Sequence, residues 1–257
     1  MSEGHFVRTE IERHGQVARL TIDRSRKLNS LTPEAIAELT AAAGRLQAND
    51  KLRAVVLTGA GEKAFVGGAD IHTLASLDTR GARQFITNLH LAIAAVGAIP
   101  VPVIARVNGW CLGAGLELAI GCDLLVAAEH AMFGMPEVKV GVPSVIEAAL
   151  LPRLVGWGKA AELVLLGENI DAAEAARIGL VQKVVPAAEL DAAVDRWVES
   201  LLAAGPHAVR LQKKLLRRWA VLPVDRAIEA GIDALAEAYA TDEPARLAGG
   251  FAARRNR

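Results

Sequence analysis

Apolar and polar positions alternate with period two between residues 7 and 23, in VRTEIER and VARLTID around His14-Gly15. That pattern predicts a hairpin of two half-buried strands. The period then lengthens. LTPEAIAELTAAAGRL, from residue 31, predicts an amphipathic helix with Thr32 as N-cap and Pro33 in the first helical position. AVVLTG (54–59) is a short unbroken apolar run, as expected of a strand buried on both faces. A glycine-rich loop, GAGEKAFVGGADI, follows it, and residues 79–97 return to helical periodicity before Pro100. VPVIARV (101–107) and DLLVAAE (123–129) predict two further buried strands with a short helix between them. Alternation of this kind predicts an α/β fold with mostly parallel pairing.

From residue 144 onward the pattern is mainly helical. Ser144 and Glu147 have capping-box spacing before an apolar run. Asp171 and Glu174 give an acid-led start to DAAEAARIGL, and Gly179 supplies its stop. VQKVV (181–185) reads as one more short strand. Residues 187–239 hold two or three long Ala/Leu-rich helices with more apolar surface than a short tail needs. No Gly/Ser or Pro-rich linker separates them from the rest, so a boundary near residue 200 is soft.

Composition narrows the function classes. Hydrophobic residues make up 52% and charged residues 23%, which suits a globular chain with a large core. Lys plus Arg equals Asp plus Glu at 29 each. No global field therefore steers the chain toward nucleic acid or anionic lipid, and phosphate-backbone binding normally needs a basic stripe. Cys111 and Cys122 are not in a CxxC pattern, and the expectation is two reduced thiols. The N-terminal MSEGHFVRTEIERHG has no basic and apolar leader pattern, and no run of about 18 apolar residues predicts a membrane span. The expected location is the cytoplasm.

The candidate chemistry sits in two glycine-rich loops that each follow a buried strand. One carries Gly67, Gly68, Ala69 and Asp70; the other, in VNGWCLGAGLELAIGCD (107–123), carries Gly113, Ala114 and Gly115. Helices starting at such loops point unpaired N–H groups outward with a favourable dipole, and two converging N–H groups form an oxyanion hole. A dinucleotide reading is weaker, because neither GxG copy (59–61 or 113–115) completes GxGxxG. Glu117 stands in an apolar run, and its local sequence fits an acid that complements a helix dipole with its side chain in solvent. Glu137 lies in the charge-poor FGMPEVKVGVP, far enough along for one strand and a return loop. Two carboxyl groups meeting in an apolar cleft can hold a water and share proton transfer. Spacing alone leaves open whether they meet.

RSRKLNSLT (24–32), AFVGGADI (64–71), VNGWCLGAGLELAIGCDLLVAAEHAMFGMPEVKVG (107–141) and GFAARR (250–255), taken together and in order, resemble the enoyl-CoA hydratase/isomerase (crotonase) family. The resemblance implies a crotonase-like ββα spiral superhelix. It places the acyl-CoA site in residues 1–200 and a helical trimerisation region in 201–257. It implies backbone N–H donors at Ala69 and Ala114 for the thioester oxygen. Glu117 and Glu137 match the two acids that bind the added water, with Glu137 the main proton-transfer group and Glu117 orienting the water. Keeping both favours a hydratase over the isomerases; an isomerase or another crotonase-type reaction is the runner-up. Outside the enzymes stands a silent acyl-CoA or RNA binder. The resemblance further implies CoA contacts from Arg26, Lys27, His72 (where the family usually has Lys), Phe251 and Arg254. It implies no metal or redox cofactor, and a homotrimer or a hexamer of paired trimers. One departure stands out. The family's Gly-rich turn after the second acid is replaced by VPSVIEAALLP (142–152), in which Glu147 reads as a capping-box acid or as a third acid of the site.

Overall fold

A computed structural model describes the backbone of residues 6–255 and the side chains of residues 6–249. The strands are β1 (Val7–Glu12), β2 (Val17–Ile22), β3 (Ala54–Gly59), β4 (Ala64–Val66), β5 (Val103–Val107), β6 (Trp110–Leu112), β7 (Leu124–Ala128), β8 (Met132–Gly134), β9 (Ile170–Asp171) and β10 (Lys183–Val185). The helices are α1 (Pro33–Gln47), α2 (Ile71–Ala75), α3 (Thr79–Gly97), α4 (Ala114–Ile120), α5 (Leu151–Val155), α6 (Trp157–Leu166), α7 (Ala172–Arg177), α8 (Leu190–Ala203), α9 (Pro206–Trp219), α10 (Val224–Ala238) and α11 (Glu243–Arg255).

Two sheets share the strands. One has the order β1-β2-β3-β5-β7-β10, the other β4-β6-β8-β9. The pairs β3/β4, β5/β6 and β7/β8 each send their first strand to the larger sheet and their second to the smaller, and helices follow. Each repeat is thus a ββα turn, and successive turns stack as a spiral. Pairing from β2 through β10 in the larger sheet is parallel, as the alternation predicts, while β1 and β2 form the expected antiparallel hairpin.

Burial explains the unbroken apolar runs. In the larger sheet Val17, Val56, Ile104 and Val126 pack against Leu190, Ala193, Val194 and Val198 of α8. Their neighbours Ala18, Val55, Leu57, Ala105 and Ala127 belong to the main core on the other face, with α1 and α3. A strand covered on both sides has no solvent face and no reason to alternate. Two caps follow the sequence, Thr32 accepting from the Ala35 N–H and Asp171 from Glu174, and the structure adds Asp78, which accepts from Gly81.

Three expectations change. The segments 64–66, 110–112 and 132–134, read as loop and helix lead-in, are strands of the smaller sheet; at three residues each they are too short to show a period. The capping box does not form. Ser144 donates to the Glu137 carboxylate instead, and the 3₁₀ turn Ile146–Leu150 has no side-chain cap. Residue 200 falls inside α8, which stays packed on the sheet through Val198; its terminal carbonyls at Leu201 and Leu202, and that of Ala204, accept from Arg53, and α9 begins after Gly205.

Candidate active site

The site grows from two crossings of the chain. At the first, Leu31 donates to the Gly68 carbonyl at 2.9 Å, and its own carbonyl accepts from Asp70 at 2.9 Å. This parallel bridge uses the peptide groups on either side of Ala69. The N–H of Ala69 is left facing away from Leu31, with no acceptor among the described residues. Asp70 then caps α2 through the Thr73 N–H at 3.0 Å. Burial opposes its charge, but the Thr73 N–H and the Arg24 guanidinium outweigh it and hold the carboxyl below the usual range.

At the second crossing Gly113 donates to Gly134 across β6 and β8, and Ala114 opens α4. As the first helical residue, Ala114 has an N–H with no intrahelical partner, and none is supplied among the described residues. Gly113 sits at φ 50°, ψ −121°, a conformation that side chains resist, and a Cβ there overlaps Glu137 Oε1. The backbone conformation calls for glycine, and a Cβ there would displace the Glu137 carboxyl. The same contact shows that the Glu137 carboxyl lies directly against the start of α4. A Cβ at Gly115 overlaps the Val66 carbonyl, so the helix meets β4 at backbone distance.

Glu117 lies in the first turn of α4, but its side chain is not in solvent. It is 3% exposed. Its Oε1 accepts from the Ala148 N–H at 3.1 Å, and its second oxygen forms no hydrogen bond among the described residues. Burial pushes this carboxyl up to about 8, Ala148 opposes the shift, and the neighbouring Glu137 and Glu147 add to it. Glu117 therefore carries a proton at neutral pH. Glu137, on the 3₁₀ turn Pro136–Val140, accepts the Ser144 hydroxyl at Oε2, 2.7 Å away.

Ala69, Ala114, Glu117 and Glu137 all line one cavity of about 660 Å³. Its remaining wall is mainly apolar, with Leu77, Phe85, Ile86 and Leu89 from the α2–α3 segment and Val142 and Val145 from the departing turn. The structure thus brings the four together. Of the expected CoA contacts, Arg26, Lys27 and His72 do not line this cavity. Arg26 and Lys27 are exposed on the 3₁₀ turn Ser25–Lys27, and the next residue, Leu28, accepts from the Gly67 N–H at 2.8 Å. That bond sets the basic turn beside the Ala69 loop. His72 is exposed on α2. Phe251 and Arg254 lie on α11, and their side chains fall outside the described residues. Sequence reasoning missed Arg83 and Lys139, which also line the cavity, and the Ser144 bond. It also missed His90, whose Nδ1 meets Glu147 Oε1 at 2.7 Å. Helical spacing from Phe85 and Ile86 to Leu89 was the available signal for the α3 wall.

Two unpaired N–H groups and two carboxyl groups at one apolar cavity are an arrangement that can stabilise a carbonyl oxygen gaining negative charge and move protons beside it. The profile of the enoyl-CoA hydratase/isomerase family matches residues 12–256, and the chain belongs to that family. It is 37% identical over 234 residues to a short-chain-enoyl-CoA hydratase of Clostridium acetobutylicum, covering 91% of this chain and 90% of that protein. A crotonyl-CoA hydratase of Syntrophomonas wolfei is equally similar, at 37% over 234 residues, with the same coverage of 91% and 90%. Among solved structures, an enoyl-CoA hydratase from Bacillus anthracis superposes with a TM-score of 0.91 at 32% identity, covering 98% of this chain and 97% of that one. The ββα spiral is therefore the crotonase fold.

Proposed function

We propose that this chain reversibly hydrates 2-trans-enoyl-CoA thioesters to 3-hydroxyacyl-CoA. The observation that carries the reading is that Ala69 and Ala114, whose N–H groups have no acceptor among the described residues, line one cavity with Glu117 and Glu137. Relatives named as hydratases support it.

Conjugation with the thioester makes C3 of the substrate electrophilic. As water adds there, charge collects on the thioester oxygen. The Ala69 and Ala114 N–H groups stabilise it without rearranging, and one such donor is typically worth about 2.7–4 kcal/mol. Water between the two carboxyl groups loses a proton to Glu137, whose carboxylate is oriented by its bond from Ser144. Glu117, neutral below about pH 8, brings the proton that the pair delivers at C2. Glu137 then passes the proton it took to Glu117, which restores the starting state, so the sum is addition of one water. The apolar wall excludes bulk water and accepts the acyl chain. Arg26 and Lys27 lie beside the Ala69 loop, where CoA phosphates would approach. The chemistry needs no group beyond the substrate's own coenzyme A.

The same reading includes a homo-oligomer, a trimer or a pair of trimers. Val224, Ile228, Ile232, Leu235 and Tyr239 fall on one face of α10 and its end, and all are exposed. Such a stripe marks an interface.

The test is loss of the enone absorbance of crotonyl-CoA. Wild type is expected to bleach it, Glu137→Gln to abolish turnover, and Glu117→Gln to lower it strongly. Hydration by Glu117→Gln at the wild-type rate overturns the two-acid assignment. Movement of a 3-enoyl double bond with no hydration replaces it by an isomerase.

A further inference from the structure

Glu147 lies in VPSVIEAALLP (142–152), beside the candidate site, and the proposed chemistry gives it no task. Its side chain is 12% exposed. One oxygen meets His90 Nδ1 at 2.7 Å; the other, Oε2, is buried with no partner among the described residues. A buried carboxyl oxygen without a partner is costly, and the His90 bond is its only compensation there. The next residue, Ala148, donates to Glu117 Oε1. His90 stands one position beyond Leu89, on the helix that walls the cavity. The order in space is therefore α3, His90, Glu147, the peptide of Ala148, and Glu117.

We infer that His90 and Glu147 are a positioning pair for Glu117, anchoring to α3 the turn whose Ala148 N–H selects which Glu117 oxygen accepts and which carries the proton. The inference rests on Glu117 acting as the acid proposed above. With Oε1 engaged by an N–H, the proton belongs on the other oxygen. If the turn swings free, the acid loses its orientation while its cavity remains. A second effect runs through charge. Glu117 is faced by Glu147 from the 3₁₀ turn and by Glu137 from the segment after β8, with Arg83 and Lys139 on the same cavity. Negative charge at Glu147 favours the protonated form of Glu117.

Four variants test the pair: Glu147→Gln, His90→Leu, His90→Gln and the double His90→Leu/Glu147→Gln. Steady-state rates with crotonyl-CoA are measured beside difference infrared titration of the Glu117 carboxyl, identified by its loss in Glu117→Gln. Thermal unfolding verifies that each variant folds. His90→Leu is expected to lower kcat on the order of tenfold with little change in KM, since misplacing a catalytic group by about 1 Å is enough. His90→Gln, which keeps a donor, restores most of the loss. The double variant is no worse than the poorer single one, as coupled residues require. Glu147→Gln moves the infrared midpoint of Glu117 to lower pH. An unmoved midpoint with unchanged kcat in folded Glu147→Gln and His90→Leu reduces the pair to a surface contact and overturns the inference. The titration needs no substrate. A shifted midpoint in an enzyme that does not hydrate crotonyl-CoA therefore refutes the hydratase reading and leaves the positioning role standing.

Discussion

Glu117 shows how burying one carboxyl costs stability. Its carboxyl rises from an ordinary 4.5 to about 8 on folding, mainly through burial. Between those values the folded chain keeps a proton that the unfolded chain releases. Stability therefore falls as pH rises through that window and is level above it; at about 1.4 kcal/mol per unit the loss is a few kcal/mol. Glu117→Gln removes the penalty. The variant is expected to melt close to wild type near pH 4.5 and progressively above it toward pH 8, while activity collapses; a melting difference independent of pH contradicts this. In wild type the kcat/KM profile should fall above about pH 8 as Glu117 ionises. Gly113→Ala meets both a left-handed backbone and the Glu137 carboxyl, so it should cut kcat more than KM. Wild-type kcat in that variant would show that the turn relaxes without moving the acid.

Elements hold these groups by ties made outside the cavity. Asp70 fixes the start of α2 and, with Arg24, closes the loop that presents Ala69. Losing a cap costs about 0.5–2 kcal/mol. Asp70→Ala should lower the urea midpoint and also slow turnover, because the loop and the helix share that one carboxylate. Helix α9 is bound more deeply. Lys213, buried and pushed below its ordinary value by desolvation, meets Asp123 at 2.6 Å and the Val101 carbonyl at 2.8 Å. Removing one partner of a buried pair costs about 3–5 kcal/mol because it strands the other charge. Asp123→Ala should therefore destabilise far more than removing an exposed pair such as Arg226 with Glu229, measured by denaturant unfolding of both variants. Neither tie was legible in the sequence. Lys213 has the helical spacing of a solvent-facing residue, and Asp123 lies ninety residues away from it.

At the scale of the molecule, the exposed stripe on α10 predicts that wild type sediments as an oligomer. Ile232→Glu, placing a charge in the middle of the stripe, should shift it toward monomer; an unchanged mass would place the interface elsewhere. Among the described residues no helix is long and apolar enough to cross a membrane. The sequence by itself determined the long elements, the caps at Thr32 and Asp171, the parallel pairing and the motif order that marks the family. These are local matters: a helical period sustained over fifteen residues, as in α1, or a capping side chain is written in neighbouring residues. Only the tertiary structure decided the rest. It paired three-residue strands into a second sheet, and it turned Ser144 from a cap into a partner of Glu137. It buried Glu117 against the Ala148 N–H and joined Glu147 to His90 across fifty-seven residues. The physical reason is that a carboxyl group's protonation depends on what surrounds it in space. Those surroundings, from α3, α4 and the turn after Gly141, meet only when the spiral closes.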